Sequence, residues 1–202
     1  PRGSRVIEQP HFMRGELVAL RNVEETDAPL VLRWMNDEEV THYMFTGQRP
    51  LTLTQVTEEL RRQTESPSNT VFTVEDLKTR RPVGLGGLYD IHATARKAEF
   101  RVLLGERECW NKGYGTEVTE LLTFYGFDRL NLHRIWLGVT AENRGGVRAY
   151  QKAGYREEGR LREDLYRNSR YYDSIRMSIL RSEYYPDLHK KHAQRFRNGL
   201  PG

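Results

Sequence analysis

The run Glu108-Cys109-Trp110-Asn111-Lys112-Gly113-Tyr114-Gly115-Thr116-Glu117 carries the residue types from which an anion site is built. It lies between an apolar, strand-like run at 100–104 and a helix-like run at 118–130. Two glycines at a strand-to-helix junction let the backbone come close to a ligand. The first N–H groups of the following helix have no intrahelical acceptor, and the positive end of the helix dipole stands behind them. Phosphate suits that position, so the segment predicts a phosphate-bearing ligand. The plainer reading is a tight turn with no ligand at all. Val118 stands where a dinucleotide fingerprint needs its third glycine, and no Gly-Lys-Ser/Thr ending marks a P-loop.

A second signal follows about 25 residues later. The apolar strand Ile135-Trp136-Leu137-Gly138-Val139 leads into Ala141-Glu142-Asn143-Arg144-Gly145-Gly146-Val147-Arg148-Ala149-Tyr150-Gln151-Lys152-Ala153-Gly154-Tyr155. With these two segments in this order, the chain resembles a GCN5-related N-acetyltransferase (GNAT) of the ribosomal-protein and polyamine acetylating type. Further matches are Leu32-Arg33-Trp34-Met35-Asn36-Asp37-Glu38-Glu39-Val40, the strand at 99–104, Tyr171-Tyr172-Asp173 and Met177-Ser178-Ile179-Leu180. The resemblance runs from about Leu17 to Tyr185.

The resemblance implies an acetyl-CoA-dependent transfer of an acetyl group to a primary amine, by direct attack in a ternary complex. Such a reaction needs a held thioester, a neutral amine, stabilisation of negative charge on oxygen, and a proton for the departing thiolate. By resemblance, the pyrophosphate sits on the backbone of Asn111, Lys112, Gly113, Tyr114, Gly115 and Thr116, with Lys112 adding charge. Trp110 replaces the Arg or Gln of many relatives, which shifts the expectation to backbone recognition and leaves the indole to packing. Val102, Leu103 and Leu104 are expected to meet the pantetheine arm through backbone groups while their side chains pack. Asn143 matches a pantetheine contact, although a short amide at a helix start also serves as a cap. Tyr150 matches the tyrosine that protonates the thiolate. A phenol titrates at about 10, so it is protonated at neutral pH. A core tyrosine on the face of Val147 and Ala153 is the other reading. Glu99 matches a frequent carboxylate and is the candidate base, or else the ion-pair partner of Arg101. Trp34, Asn36, Asp37, Glu38 and Tyr43 are the expected acceptor-lining residues, with capping and solvent exposure as the alternative. The runner-up function is a non-catalytic acyl-CoA-binding module of the same fold.

Composition bounds these readings. The chain has 202 residues, 30% charged and 37% hydrophobic, which suits one globular domain. No run of about 18 apolar residues spans a membrane, and no secretory signal is visible. A single cysteine, Cys109, fits a reducing cytoplasm and reads as a buried, inert thiol rather than a nucleophile. No Cys-x-x-Cys and no paired histidines indicate a metal. Net charge is +4, and the basic stretch at 189–197 reads as a solvated terminus rather than a nucleic-acid contact. Pro1-Arg2-Gly3-Ser4 reads as the remnant of a cleavable tag. A homodimer is within the expectation.

The elements that must position these residues alternate α and β. Strand patterns fall at 16–22, 70–75, 82–91, 98–104, 133–140, 155–166 and 171–180, and helical patterns at 26–34, 38–44, 52–64, 118–130 and 146–153. Thr26 or Asp27 is expected to cap the first helix. The fold class is therefore mixed α/β. By resemblance it is a central, mostly antiparallel mixed sheet of about seven strands flanked by helices. Residues 1–13 read as an N-terminal extension, 14–185 as one acetyltransferase domain and 186–202 as a basic tail.

Overall fold

The computed structural model describes residues 10–197. The tag-like Pro1-Arg2-Gly3-Ser4 and residues 198–202 of the tail lie outside the described residues. Eight strands form one sheet: β1 (Met13–Arg14), β2 (Val18–Asn22), β3 (Thr70–Asp76), β4 (Pro82–His92), β5 (Lys97–Leu104), β6 (Arg134–Thr140), β7 (Arg156–Arg167) and β8 (Arg170–Leu180). Their order is β1-β2-β3-β4-β5-β6-β8-β7. The two-residue β1 is the strand beyond the seven read from sequence. Every neighbouring pair is antiparallel except β5–β6.

That parallel pair decides where a ligand can go. β5 and β6 are in register only from Lys97↔Arg134 to Glu99↔Trp136. β6 then stays with β8 as far as Thr140↔Ser174, while β5 stays with β4 as far as Gly84↔Leu104. Past Glu99 the two strands part, and the β6-facing edge of β5 loses its partner. Backbone groups on such an edge must find water or a ligand.

Helices cover both faces: α1 (Ala28–Met35), α2 (Glu38–Thr41), α3 (Leu53–Glu65), α4 (Tyr114–Asp128), α5 (Arg144–Lys152), α6 (Arg181–Tyr184) and α7 (Leu188–Arg197). α4 is buried at every position from Glu117 to Phe127, so it is a central pillar rather than a surface helix. Val118, Leu121, Leu122, Phe124 and Phe127 join Leu20, Leu88, Phe100, Ile135 and Met177 in the larger core. On the opposite face Val31 and Trp34 of α1 meet Val56 and Leu60 of α3 over Leu85 and Leu103. Burying each such side chain fully stabilises by about 1.5–3 kcal/mol.

Two details depart from the sequence reading. Asp27 does not cap α1 with its side chain: its carboxylate accepts from Arg21 Nη1 and Nη2, both at 2.8 Å, and from Thr73. α1 begins instead with Pro29 in its first turn, where a missing N–H costs nothing. The second departure is the basic stretch at 189–197, which is helical rather than solvated. α7 packs on α4, with Phe196 ringed against Phe124 at 5.9 Å and His192 fully buried. Leu188, His192 and Phe196 recur every four residues, one apolar face among the charges.

Candidate functional site

A cleft of about 1220 Å³ opens where β5 and β6 part. Its walls are the end of β5 (Val102, Leu103, Leu104), the loop into α4, the start of α5, and the α2 region. The loop into α4 is held open by its backbone. Asn111 has φ 59° and Gly113, the N-cap of α4, has φ 91°. Among the described residues no side chain caps α4, whereas Asp37, Thr52 and Asn143 cap α2, α3 and α5. The first intrahelical bond of α4 runs from Glu117 N to Gly113 O at 3.0 Å. The preceding N–H groups, at Gly115 and Thr116, sit on residues that line the cleft. An uncapped N-terminus of a buried helix is where a phosphate is held best.

Asn111, Gly113, Gly115 and Thr116 thus come together with Val102, Leu103, Leu104, Asn143 and Tyr150 around one cavity. Lys112 and Tyr114 do not line it. Tyr114 points the other way and donates its hydroxyl to Asp76, which together with burial pushes the phenol up to about 12. Trp110 packs against the second core and donates Nε1–H to Leu104 O at 2.9 Å, fixing the loop to the strand end. Asn143 accepts from Gly146 N at 2.9 Å, so its oxygen caps α5. Cys109 lines the cleft but is 5% exposed, and burial pushes its thiol up to about 11, which leaves it an inert thiol.

Tyr150 lies on α5 with its ring edge-on to Phe100 at 5.9 Å. Burial pushes its phenol up to about 12. It therefore stays protonated at neutral pH, as a proton donor must.

Of the acceptor residues expected from sequence, Asp37, Glu38 and Tyr43 line the cleft. Trp34 does not: it is 2% exposed, donates Nε1–H to Glu106 at 2.8 Å, and lies under Gly105, where an added Cβ would meet the indole at 2.1 Å. Asn36 is spent on Leu51, giving its amide to Leu51 O at 2.9 Å and accepting from Leu51 N at 2.8 Å. Six charged cleft residues were not among the site candidates read from sequence: Glu39, Arg107, Glu142, Arg144, Arg148 and Lys152. Arg107 bridges Asp37 and Glu39, at 2.6 Å to each, and that bond holds the Asp37 carboxyl below its ordinary range. Glu142 Oε2 is buried without a hydrogen-bond partner. Only the folded chain brings α2 and the β6–α5 loop to one wall, so no sequence signal marked these residues.

Glu99 stands outside the cleft walls. It accepts from Arg101 Nη2 at 2.6 Å, and Arg101 stacks on Tyr89 at 4.7 Å. This is the ion-pair alternative the sequence left open. Accordingly Glu99→Gln is expected to cost less than about 1 kcal/mol of stability and to leave the pH–rate profile unchanged. A profile that loses its acid limb in Glu99→Gln would restore Glu99 as the base.

Comparison with known proteins agrees with this geometry. Residues 18–156 match the family model described as acetyltransferase (GNAT) domain. The chain is 33% identical over 168 residues to a spermidine N(1)-acetyltransferase of Vibrio cholerae, covering 83% of this chain and 95% of that protein. It is 30% identical to the spermidine N(1)-acetyltransferase of Escherichia coli K12, covering 83% and 88%. The crystal structure of Vibrio cholerae spermidine N-acetyltransferase in complex with CoA and spermine superposes with a TM-score of 0.76 at 31% identity, covering 83% of this chain and 98% of that one. The chain belongs to the GNAT acetyltransferase family. It is an N-acetyltransferase that takes acetyl-CoA as cosubstrate, not a non-catalytic acyl-CoA-binding module.

Proposed function

We propose that the acceptor is a polyamine of the spermidine and spermine class. One observation carries this: carboxylates of α2 and cationic side chains of α5 line the same cleft. Its α5 side presents Arg144, Arg148 and Lys152, and its α2 side presents Asp37, Glu38 and Glu39, with Glu142 beyond them. Arg107 bridges Asp37 and Glu39, and Arg170 reaches Glu142 at 3.4 Å, so two guanidinium groups face four carboxylates and negative charge is in excess where an amine would enter. An anionic cosubstrate and a polycationic acceptor are thereby drawn to opposite ends of one cavity. The spermidine acetyltransferases among the relatives support the reading.

Bound acetyl-CoA supplies an activated acetyl thioester. The N–H groups at Gly115 and Thr116 hold its pyrophosphate, and the partnerless edge of β5 at 102–104 holds its arm. The carboxylates of α2 hold the remote ammonium groups and so orient the reacting amine. Tyr150 donates a proton to the thiolate as the amine attacks directly. Glu99, paired with Arg101 outside the walls, is remote from this role, and the amine proton leaves through water. We place the enzyme in the cytoplasm, where a lone thiol such as Cys109 stays reduced, and expect a homodimer. The exposed Leu161, Tyr166 and Tyr171 of the β7–β8 hairpin support the latter.

An amine panel followed by thiol release tests the acceptor. Expected kcat/KM rises from monoamines through spermidine to spermine. In Asp37→Asn/Glu39→Gln that preference should shrink about tenfold, the worth of a lost charge-assisted contact. Equal rates for all amines, or preference for a neutral peptide N-terminus, would refute the polyamine reading.

A further inference from the structure

α7 lies outside the segment that matches the family domain, yet it reaches back to the cosubstrate end of the molecule. The contact is ionic. Glu117 directly follows Thr116 of the pyrophosphate loop and is 1% exposed. Its carboxylate accepts backbone N–H groups of Glu16, Leu17 and Val18 at 2.9, 2.7 and 2.8 Å. One turn further, Glu120 is 5% exposed. Two buried carboxylates on the first turns of α4 oppose the very field that should attract a pyrophosphate. Arg195 of α7 answers both, donating Nη2 to Glu117 at 2.7 Å and Nη1 to Glu120 at 2.5 Å, and reaching Glu16 through Nε at 3.1 Å. His192, fully buried, adds a ring nitrogen 3.8 Å from Glu120.

We propose that Arg195 is a positioning residue for the cosubstrate: it offsets part of the negative charge of Glu117 and Glu120, so that less of it opposes the positive end of α4 that faces the pyrophosphate. Glu117 in turn ties the β1–β2 turn to that helix end and so fixes the loop. The proposal rests on the α4 N-terminus being the pyrophosphate site.

The charge model and a merely structural one separate by cosubstrate. S-acetylpantetheine offers the same thioester without pyrophosphate or nucleotide. In Arg195→Gln, kcat/KM for acetyl-CoA should fall about tenfold, the effect of one charge across roughly 10 Å of partly screened protein. The value for S-acetylpantetheine should stay within about twofold, and Arg195→Lys should recover most of the loss. Should Arg195→Gln not fold, Glu120→Gln reads the same field in reverse. It removes one of the negative charges beside the helix end while Arg195 stays paired with Glu117, and should tighten CoA about threefold in calorimetry. Equal losses on both cosubstrates, or unchanged CoA affinity in both variants, would overturn the proposal. Gly115→Val is the control for the site. If it weakens CoA while the Arg195 and Glu120 variants do not, the positioning role fails alone. If none of the three alters CoA affinity, the pyrophosphate assignment fails with it.

Discussion

Tyr150→Phe should bind CoA as the wild type does and turn over about 10²-fold more slowly, the usual cost of removing a general acid. The ring is held by packing, edge-on to Phe100 at 5.9 Å and tilted against Tyr155 at 6.4 Å, and a phenylalanine keeps both contacts. Among the described residues the hydroxyl has no hydrogen-bond partner, so its loss orphans nothing in the protein. What disappears is one proton donor on the wall of the cleft. Because burial pushes the phenol up to about 12, its deprotonation should not shape the rate below about pH 10. An alkaline fall near pH 9 in the wild type would belong to another group. Isothermal titration with CoA and single-turnover thiol release separate binding from chemistry. Wild-type turnover in Tyr150→Phe would return Tyr150 to the core.

That the loop into α4 lines the cleft was legible because its backbone geometry is local. Gly113, Gly115 and the helix that follows are adjacent in sequence, and backbone N–H groups need no distant partner. Most strands and helices were legible for the same reason: their periodicity is written in consecutive residues, as in Val56 and Leu60 of α3. The α2 wall of the cleft was only half legible. Asp37, Glu38 and Tyr43 reach the cleft, but Trp34 turns into the second core, as its helical spacing with Val31 already allowed. Glu99 had two readings because a strand position shows which residues share a face but not which partner they find there. Arg101, two residues on, is that partner. α7 was missed because its charges outnumber its apolar positions. The counter-charge that its Arg195 meets, Glu117 and Glu120, lies about 75 residues away. Carboxylates at the start of a predicted, otherwise apolar helix were the available signal, since such groups are seldom buried unpaired.

Gly115→Val should weaken CoA by about 2 kcal/mol or more, roughly 30-fold in Kd, with the fold intact. The argument turns on what a side chain at this position would meet. A Cβ on Gly115 finds only Leu104 Cδ1, at 3.5 Å, an ordinary contact. The backbone of Gly115 is helical, so no left-handed conformation is lost. The free protein therefore has room for a side chain, and the space that side chain takes belongs to the cleft. Valine there holds a phosphate away from the N–H groups of Gly115 and Thr116, and charge-assisted bonds weaken steeply once lengthened. Gly113→Val is the less informative variant, because φ 91° strains any side chain and mixes stability with affinity. Thermal melting alongside calorimetry completes the test. A Gly115→Val protein that melts like the wild type and binds CoA equally well would remove the pyrophosphate from the start of α4.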